Sequence, residues 1–204
     1  SVTGFQWITL GGRLDSLLSA TNGYKTIYGG IDSGQITRRM RDPFAVASAV
    51  ARRMANEMGC IAVPQDFAWT SPLDRAFFVL VDADTDTLDE EGQPTNVDGV
   101  EGTIELLHRV FLHEAAPPGS DAFNETYDLL LTVWQGGLAR VTAGTEPVTL
   151  PERCRATKDL TNGKLFAESA FPNRDPILQD PNYVIRSWMA VVSYLLSDAR
   201  FLLN

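Results

Sequence analysis

The sequence is poor in cysteine and histidine and has no long apolar run. Only two residues of each type occur among 204, and Cys60 and Cys154 are far apart and belong to no C-x-x-C pair. Such spacing gives neither a disulfide framework nor a zinc site, so we expect two buried free thiols. No apolar stretch reaches the roughly 18 residues that would span a bilayer, and we expect no membrane partner.

Motifs that mark nucleotide-binding or catalytic sites are also missing. The chain has no G-x-G-x-x-G, no G-K-[ST] and no G-x-S-x-G, so neither a phosphate cradle nor a serine nucleophile is supported. His108 and His113 are five residues apart, which is not the i, i+4 spacing of a helical metal pair. We therefore expect structural or surface histidines, and no catalytic, cofactor-binding or metal-binding residues.

Basic residues are the minority, because 17 Lys and Arg stand against 26 Asp and Glu, giving a net charge of −9. Binding to nucleic acid needs a basic surface, so we expect no sequence-specific nucleic-acid partner. The charge is unevenly distributed, with arginines concentrated in residues 37–53 and acids in residues 82–105. This polarity fits two solvated faces, or head-to-tail packing between identical subunits.

The segment Arg75–Asp82 is the stretch around which the chain is organised. It is apolar, β-branched and aromatic, which predicts a buried strand. Six carboxylates follow between Asp82 and Glu91. A strand that ends in acids is typical of metal or phosphoryl sites, and the same acids equally suit a solvated loop. Residues 83–100 are predicted to form that loop, which is longer than most connections.

The sequence Asp82-Ala-Asp-Thr-Asp86 resembles the first motif of the haloacid dehalogenase phosphatases. The resemblance implies Asp82 as nucleophile and Asp84 as general acid, with Mg²⁺ offsetting the charge. The sequence departs from that family at Asp86, where Thr or Val is usual. A similar Asp-x-Asp binds metal in sugar-nucleotide transferases, whereas an EF-hand would need glycine and glutamate in place of Thr87 and Gln93. A metal-dependent phosphatase or transferase using Asp82 and Asp84 is thus one alternative.

The hydrophobic pattern predicts a single α+β domain over residues 1–204, with a mainly antiparallel sheet packed against one or two helices. Helices are predicted for residues 12–20 and for Asp42–Met58, the second capped by Asp42 and ended by Gly59. Strands are predicted for four further segments. Alternation favours them over residues 24–28, 103–113 and 125–135, and β-branched residues favour one over residues 183–196.

Two of the predicted strands have an alternative, and two further features of the sequence lead to predictions. Helix is the alternative for residues 103–113 and also for 183–196, where Asp180-Pro181 equally suits a helix start. Residues 138–180 are rich in proline and are predicted to be an irregular arm or insertion. The tryptophans are expected to anchor the core or subunit contacts; they are Trp7, Trp69, Trp134 and Trp188.

In layout the chain is similar to the small neck proteins of tailed bacteriophages, namely tail terminators and related tail-completion proteins. The similarity lies in the first helix leading to Thr26–Tyr28, the helix Asp42–Met58, the long strands and the arm. It implies a structural protein without catalysis or cofactor that forms a homo-oligomeric ring, often a hexamer. Its partners would be other virion proteins, in a virion assembled in the host cytoplasm. An adaptor domain that binds a protein partner is the second alternative.

Overall fold

The computed structural model describes residues 45–160, 163–168 and 173–198. Its regular elements there are four α-helices, α1 (Ala45–Phe67), α2 (Val97–Phe111), α3 (Asp121–Thr142) and α4 (Val184–Leu196), and three short 3₁₀ turns, Pro72–Asp74, Glu152–Cys154 and Phe166–Glu168. Pairing between extended segments is limited to isolated bridges in these ranges. The described part is therefore helical, and the predicted antiparallel sheet is wrong. The predicted helix 12–20 and strand 24–28 lie outside the described residues.

Helix α4 lies at the centre of the fold and packs against α1, α3 and, less extensively, α2. The predicted strand 183–196 is wrong, because its buried residues recur at i, i+3, i+4 and i+7 along one face of a helix, and the other residues of that helix are partly buried. A helix that is apolar nearly all round belongs in a core. A helix was the alternative noted from the sequence, but it begins at Val184 and not at Asp180-Pro181. The Asp180 carboxylate accepts hydrogen bonds from the N–H groups of Ile185 and Arg186 in its first turn.

The two other long predicted strands are also helices. Residues 103–113 lie largely in α2 and residues 125–135 lie within α3. Each helix begins at a capping residue, because the side chain of Asn96 accepts from the N–H of Gly99 and that of Ser120 accepts from Phe123. The buried residues of α2 follow helical spacing, and they include Ile104, Leu107, His108 and Phe111. The capping residues and the 3.6-residue spacing of buried side chains therefore determine the conformation of these segments, and the alternation of apolar residues does not.

Helix α1 matches the prediction in type but not in extent. It continues through Gly59, the predicted end, as far as Phe67 and contains Pro64, while the predicted cap Asp42 lies outside the described residues. Gly59 faces α4, where an added β-carbon would lie 2.6 Å from the Ser193 hydroxyl and 2.8 Å from the Met189 carbonyl. The glycine therefore allows the two helices to approach closely rather than ending α1.

The two cysteines form a disulfide, so the prediction of free thiols is wrong. Cys60 in α1 is bonded to Cys154 in the turn Glu152–Cys154, across 94 residues of sequence. The pairing could not be predicted from the positions of the two cysteines in the sequence, because it forms only when the fold brings the segment after α3 back to α1. None of the described helices has the length and apolar character needed to cross a membrane.

The segment predicted to be an irregular arm begins later than expected, since residues 138–142 still belong to α3. Its described residues fold back on the protein rather than projecting from it. The N–H of Asp175 donates to the carbonyl of Ala68, just after the end of α1, at 2.8 Å. Gln65 of α1 donates to the carbonyl of Lys158 at 3.1 Å. These contacts place the segment over the end of α1.

Candidate functional site

The backbone of the predicted strand Arg75–Asp82 is held by a side chain of α1. The Asp66 carboxylate accepts the N–H groups of Ala76, Phe77 and Phe78 at 2.7, 3.0 and 3.0 Å. In a β-sheet, buried N–H groups of this kind donate to a neighbouring strand. Here the Asp66 carboxylate takes the place of that strand. The segment is therefore irregular, and the predicted strand is wrong, although Phe77 and Phe78 are buried as the pattern indicated.

Arg75, at the start of this segment, holds the same backbone through hydrogen bonds from its side chain. Its guanidinium is buried and donates to three backbone carbonyls, those of Trp69, Phe78 and Val81. It also donates to the Asp82 carboxylate at 3.0 Å. An arginine has five N–H donors and must find partners for them when it is buried. Arg75 and Asp66 thus fix the path of the chain into the acidic segment.

Asp82, the nucleophile that the phosphatase resemblance implies, has partners on both carboxylate oxygens. Oδ2 accepts from Arg75, and Oδ1 accepts from the N–H of Asp84 at 3.0 Å. Burial acts to raise the pKa of Asp82, but the hydrogen bonds from Asp84 and Arg75 outweigh it and hold the pKa below its usual value. The carboxylate is therefore an ionised acceptor committed to its own loop.

The third acid in the motif, Asp86, connects the loop to α2. Its carboxylate accepts the N–H of Asp82 at 2.9 Å and the side-chain amide of Asn96 at 3.2 Å. Burial raises the pKa of Asp86 above its usual value. Asn96 also donates to the carbonyl of Leu80 at 2.9 Å while its oxygen caps α2. The departure from the phosphatase motif at Asp86 thus corresponds to a structural contact.

Asp82 and Asp84 both line a small cavity, together with Arg75 and Asp180. The cavity measures about 40 Å³, which is room for roughly one water molecule and far below the usual volume of a ligand pocket. The structure therefore brings the two predicted acids together at one place, but that place does not admit a phosphoester. Within the described ranges, no group of three or more His, Cys, Asp or Glu side chains is arranged to hold a metal ion.

His108 forms the second cluster of chemically capable groups, which the sequence did not reveal. Its Nδ1 lies 3.0 Å from the Glu114 carboxylate and its Nε2 lies 2.8 Å from the Thr126 hydroxyl. The order of carboxylate, imidazole and hydroxyl is that of a charge-relay triad. Thr126 is completely buried, however, and its hydroxyl also donates to the Ala122 carbonyl at 2.9 Å. The cluster joins α2 to α3 within the core, and a substrate has no route to its hydroxyl.

The second predicted histidine lies apart from this cluster. His113 is exposed and follows α2 with a φ of 55°, the left-handed conformation common just past the end of a helix. The sequence signal that could have found the His108 cluster is weak, because Glu114 and Thr126 are six and eighteen residues away and become neighbours only when α2 packs on α3.

A third polar cluster joins α3 to α4. The Glu146 carboxylate accepts from Arg140 at 2.8 Å, from the Tyr183 hydroxyl at 2.9 Å and from Arg186 at 2.9 Å. Burial acts to raise the pKa of Glu146, but these hydrogen bonds and the nearby arginines lower it overall. Arg186 also donates to the carbonyls of the segment after α3, including that of Pro147. The cluster holds that segment against the start of α4.

The chain matches no protein-family model, no curated protein and no solved structure. The geometry of the described residues is thus the basis for a functional assignment. That geometry consists of acids and a histidine engaged in internal contacts, one water-sized cavity, and open grooves on the helical surface.

Proposed function

We propose that the protein acts by binding a protein partner, as a non-catalytic component of a larger assembly. The observation that carries the proposal is that both oxygens of Asp82 already have partners within the chain. The same holds for both ring nitrogens of His108. Side chains committed in this way position the backbone and the helices, and the solvent-facing surface is left for interaction.

The phosphatase or transferase alternative has less support. A carboxylate nucleophile must direct one oxygen at phosphorus while a metal ion offsets the charge between them. Here Arg75, with a side chain only 5% exposed, occupies the position beside Asp82. The buried guanidinium supplies the positive charge that Mg²⁺ would bring, and the adjoining cavity is too small for the substrate.

A ring subunit at the neck or tail end of a bacteriophage is the narrower form of the proposal. The uneven charge supports an assembly, because residues 76–108 contain no lysine or arginine, whereas α1 carries the exposed Arg52 and Arg53. The strands that contributed to the similarity with tail terminators are absent from the described part of the chain. Layout therefore no longer favours the phage assignment, and charge is its remaining support.

Two measurements test the proposal. We expect hydrolysis of p-nitrophenyl phosphate with Mg²⁺ to be the same for the wild type and for Asp82→Asn, at the level of buffer. Turnover that is lost in Asp82→Asn would contradict a non-catalytic role. Light scattering across a range of concentrations tests the narrower form, since a ring subunit is expected to give a discrete oligomer, alone or with a partner ring.

A further inference from the structure

We infer that a groove between the turn Asp89–Gly92 and the second half of α3 is the docking site for a basic amphipathic helix of a protein partner. The inference rests on the proposed binding function and specifies the surface and the chemistry of the partner. The groove, called here the acidic groove, measures about 540 Å³ and is open to solvent. Its lining includes Leu88, Asp89 and Glu90 on one side and Gln135, Leu138 and Ala139 on the other.

The two sides of the acidic groove are fixed relative to each other. The Gln135 amide of α3 donates to the Gly92 carbonyl at 2.9 Å. The turn itself is closed by the Gly92 N–H, which donates to the Asp89 carbonyl at 3.1 Å, and by the Gln93 N–H, which donates to the Asp89 carboxylate at 2.7 Å. Gly92 has a φ of +79°, a conformation that favours glycine. A groove held in shape before binding loses little entropy when it is filled.

The chemistry of the acidic groove differs between its floor and its rim. The floor is apolar, with Leu88 and Leu138 partly buried and the Ala139 side chain exposed. The rim carries the exposed carboxylates of Asp89 and Glu90. The charge of Asp89 acts on α3, because the pKa of Tyr127 is raised first by burial and then by the negative charges of Glu101 and Asp89.

Charge complementarity identifies the occupant. An apolar floor accepts the apolar face of a helix, whose side chains recur at i, i+3, i+4 and i+7. Lysines or arginines at the edges of that face would meet Asp89 and Glu90, and residues 76–108 contribute no base to oppose them. Nucleic acid would be repelled by the same rim. A cationic helix is therefore the ligand that matches both parts of the groove.

The test uses a fluorescein-labelled helical peptide with leucines on one face and lysines along its edges. Two further peptides serve as controls, one of the same composition with the helical periodicity scrambled and one with glutamates in place of the lysines. We expect the amphipathic basic peptide to bind the full chain with micromolar affinity by fluorescence anisotropy. Each control peptide is expected to bind with a dissociation constant at least about tenfold higher, because it lacks either the apolar face or the positive charges.

Variants locate the binding site. Glu90→Lys reverses the charge of an exposed rim residue, and Ala139→Arg fills the floor while keeping a good helix former. We expect each to weaken peptide binding by about five- to tenfold. Glu152→Lys makes the same charge change outside the groove and is expected to leave the affinity unchanged. Circular dichroism and unfolding midpoints equal to the wild type show that the variants are folded.

Several outcomes would overturn the inference. These are no binding of the basic amphipathic peptide, equal binding of the scrambled peptide, or affinities unaffected by Glu90→Lys and Ala139→Arg. Self-association of the wild type that both variants abolish would also overturn it, since the occupant would then be a second copy of the chain. None of these outcomes depends on hydrolysis by Asp82, so failure of the groove and failure of the non-catalytic role are distinguished.

Discussion

The aromatic ring of Tyr183 packs directly on the backbone of Gly137, so that a β-carbon at residue 137 would collide with the ring. Tyr183 itself has a φ of 60° and precedes α4, and its hydroxyl donates to Glu146 at 2.9 Å. Gly137 lies inside α3, where glycine costs about 1 kcal/mol relative to alanine. The glycine is therefore explained by the approach of α4 to α3.

Two neighbouring glycines of α3 provide a matched test of this contact. We expect Gly137→Ala to lower the free energy of unfolding by about 1–3 kcal/mol, because the methyl group must displace the Tyr183 ring. Gly136→Ala meets only the Arg140 side chain, at 3.5 Å, and is expected to raise the free energy by about 0.5–1 kcal/mol. Urea unfolding of both variants measures the difference, and equal effects would show that Tyr183 does not rest on Gly137.

The disulfide between Cys60 and Cys154 gives a second prediction. It closes a long loop, since the two residues are separated by 94 positions. We expect reduction, or replacement of both cysteines by serine, to lower the free energy of unfolding by about 4–5 kcal/mol on the loop-entropy estimate. Guanidinium unfolding with and without reductant measures the change.

Thiol titration of the denatured protein is the control for this prediction. Both cysteines of the sequence are in the bond, so unreduced denatured protein is expected to have no reactive thiol. Two titratable thiols without reductant would contradict the bond. Since disulfides persist mainly in oxidising compartments, we also expect more folded protein from oxidising expression than from a reducing cytosol.

The Glu146 cluster predicts a pH dependence of stability. The pKa of Glu146 is lowered from its ordinary value of 4.5, so its carboxylate stabilises the fold fully above pH 4.5 and loses that contribution as the pH falls through the lowered pKa. We expect Glu146→Gln to cost about 1–3 kcal/mol at pH 7. The difference from the wild type should shrink below pH 4.

Denaturant unfolding of wild type and Glu146→Gln at several pH values measures this difference. Glu125→Gln removes an exposed carboxylate from α3 and controls for the change in net charge. A difference between wild type and Glu146→Gln that stayed constant down to pH 3 would contradict the role of the ionised carboxylate.

Burial was easier to predict from the sequence than conformation was. Trp134 and Trp188 are core residues as expected, with exposures of 1% and 0%. Helix α1 was also expected, because its apolar residues recur at helical spacing. Residues 183–196 were predicted to be a strand because β-branched residues favour strands. That preference is weak, and the packing of α4 at the centre of the fold overrides it.

Long-range contacts explain the remaining errors. The apolar segment Arg75–Asp82 had the composition of a strand, but its backbone donors are satisfied by Asp66, ten to twelve residues away, rather than by a neighbouring strand. The disulfide and the His108 cluster likewise depend on helix packing. Asp82 and Asp84 line one small cavity, and the hydrogen bond from Arg75 to Asp82 could not be predicted without knowledge of the fold.

We propose that Asp82 holds the acidic segment in place through its hydrogen bonds to Arg75 and Asp84, instead of serving as a nucleophile. The most direct test of this claim is the free energy of unfolding of Asp82→Asn beside that of Asp84→Asn, because Asp82 is ion-paired with buried Arg75 while Asp84 is exposed. Asp82 is itself about one-third exposed, so we expect a loss of about 1–3 kcal/mol for Asp82→Asn and less than about 0.5 kcal/mol for Asp84→Asn. An Asp82→Asn protein as stable as the wild type would contradict the claim and return Asp82 to the candidates for catalysis.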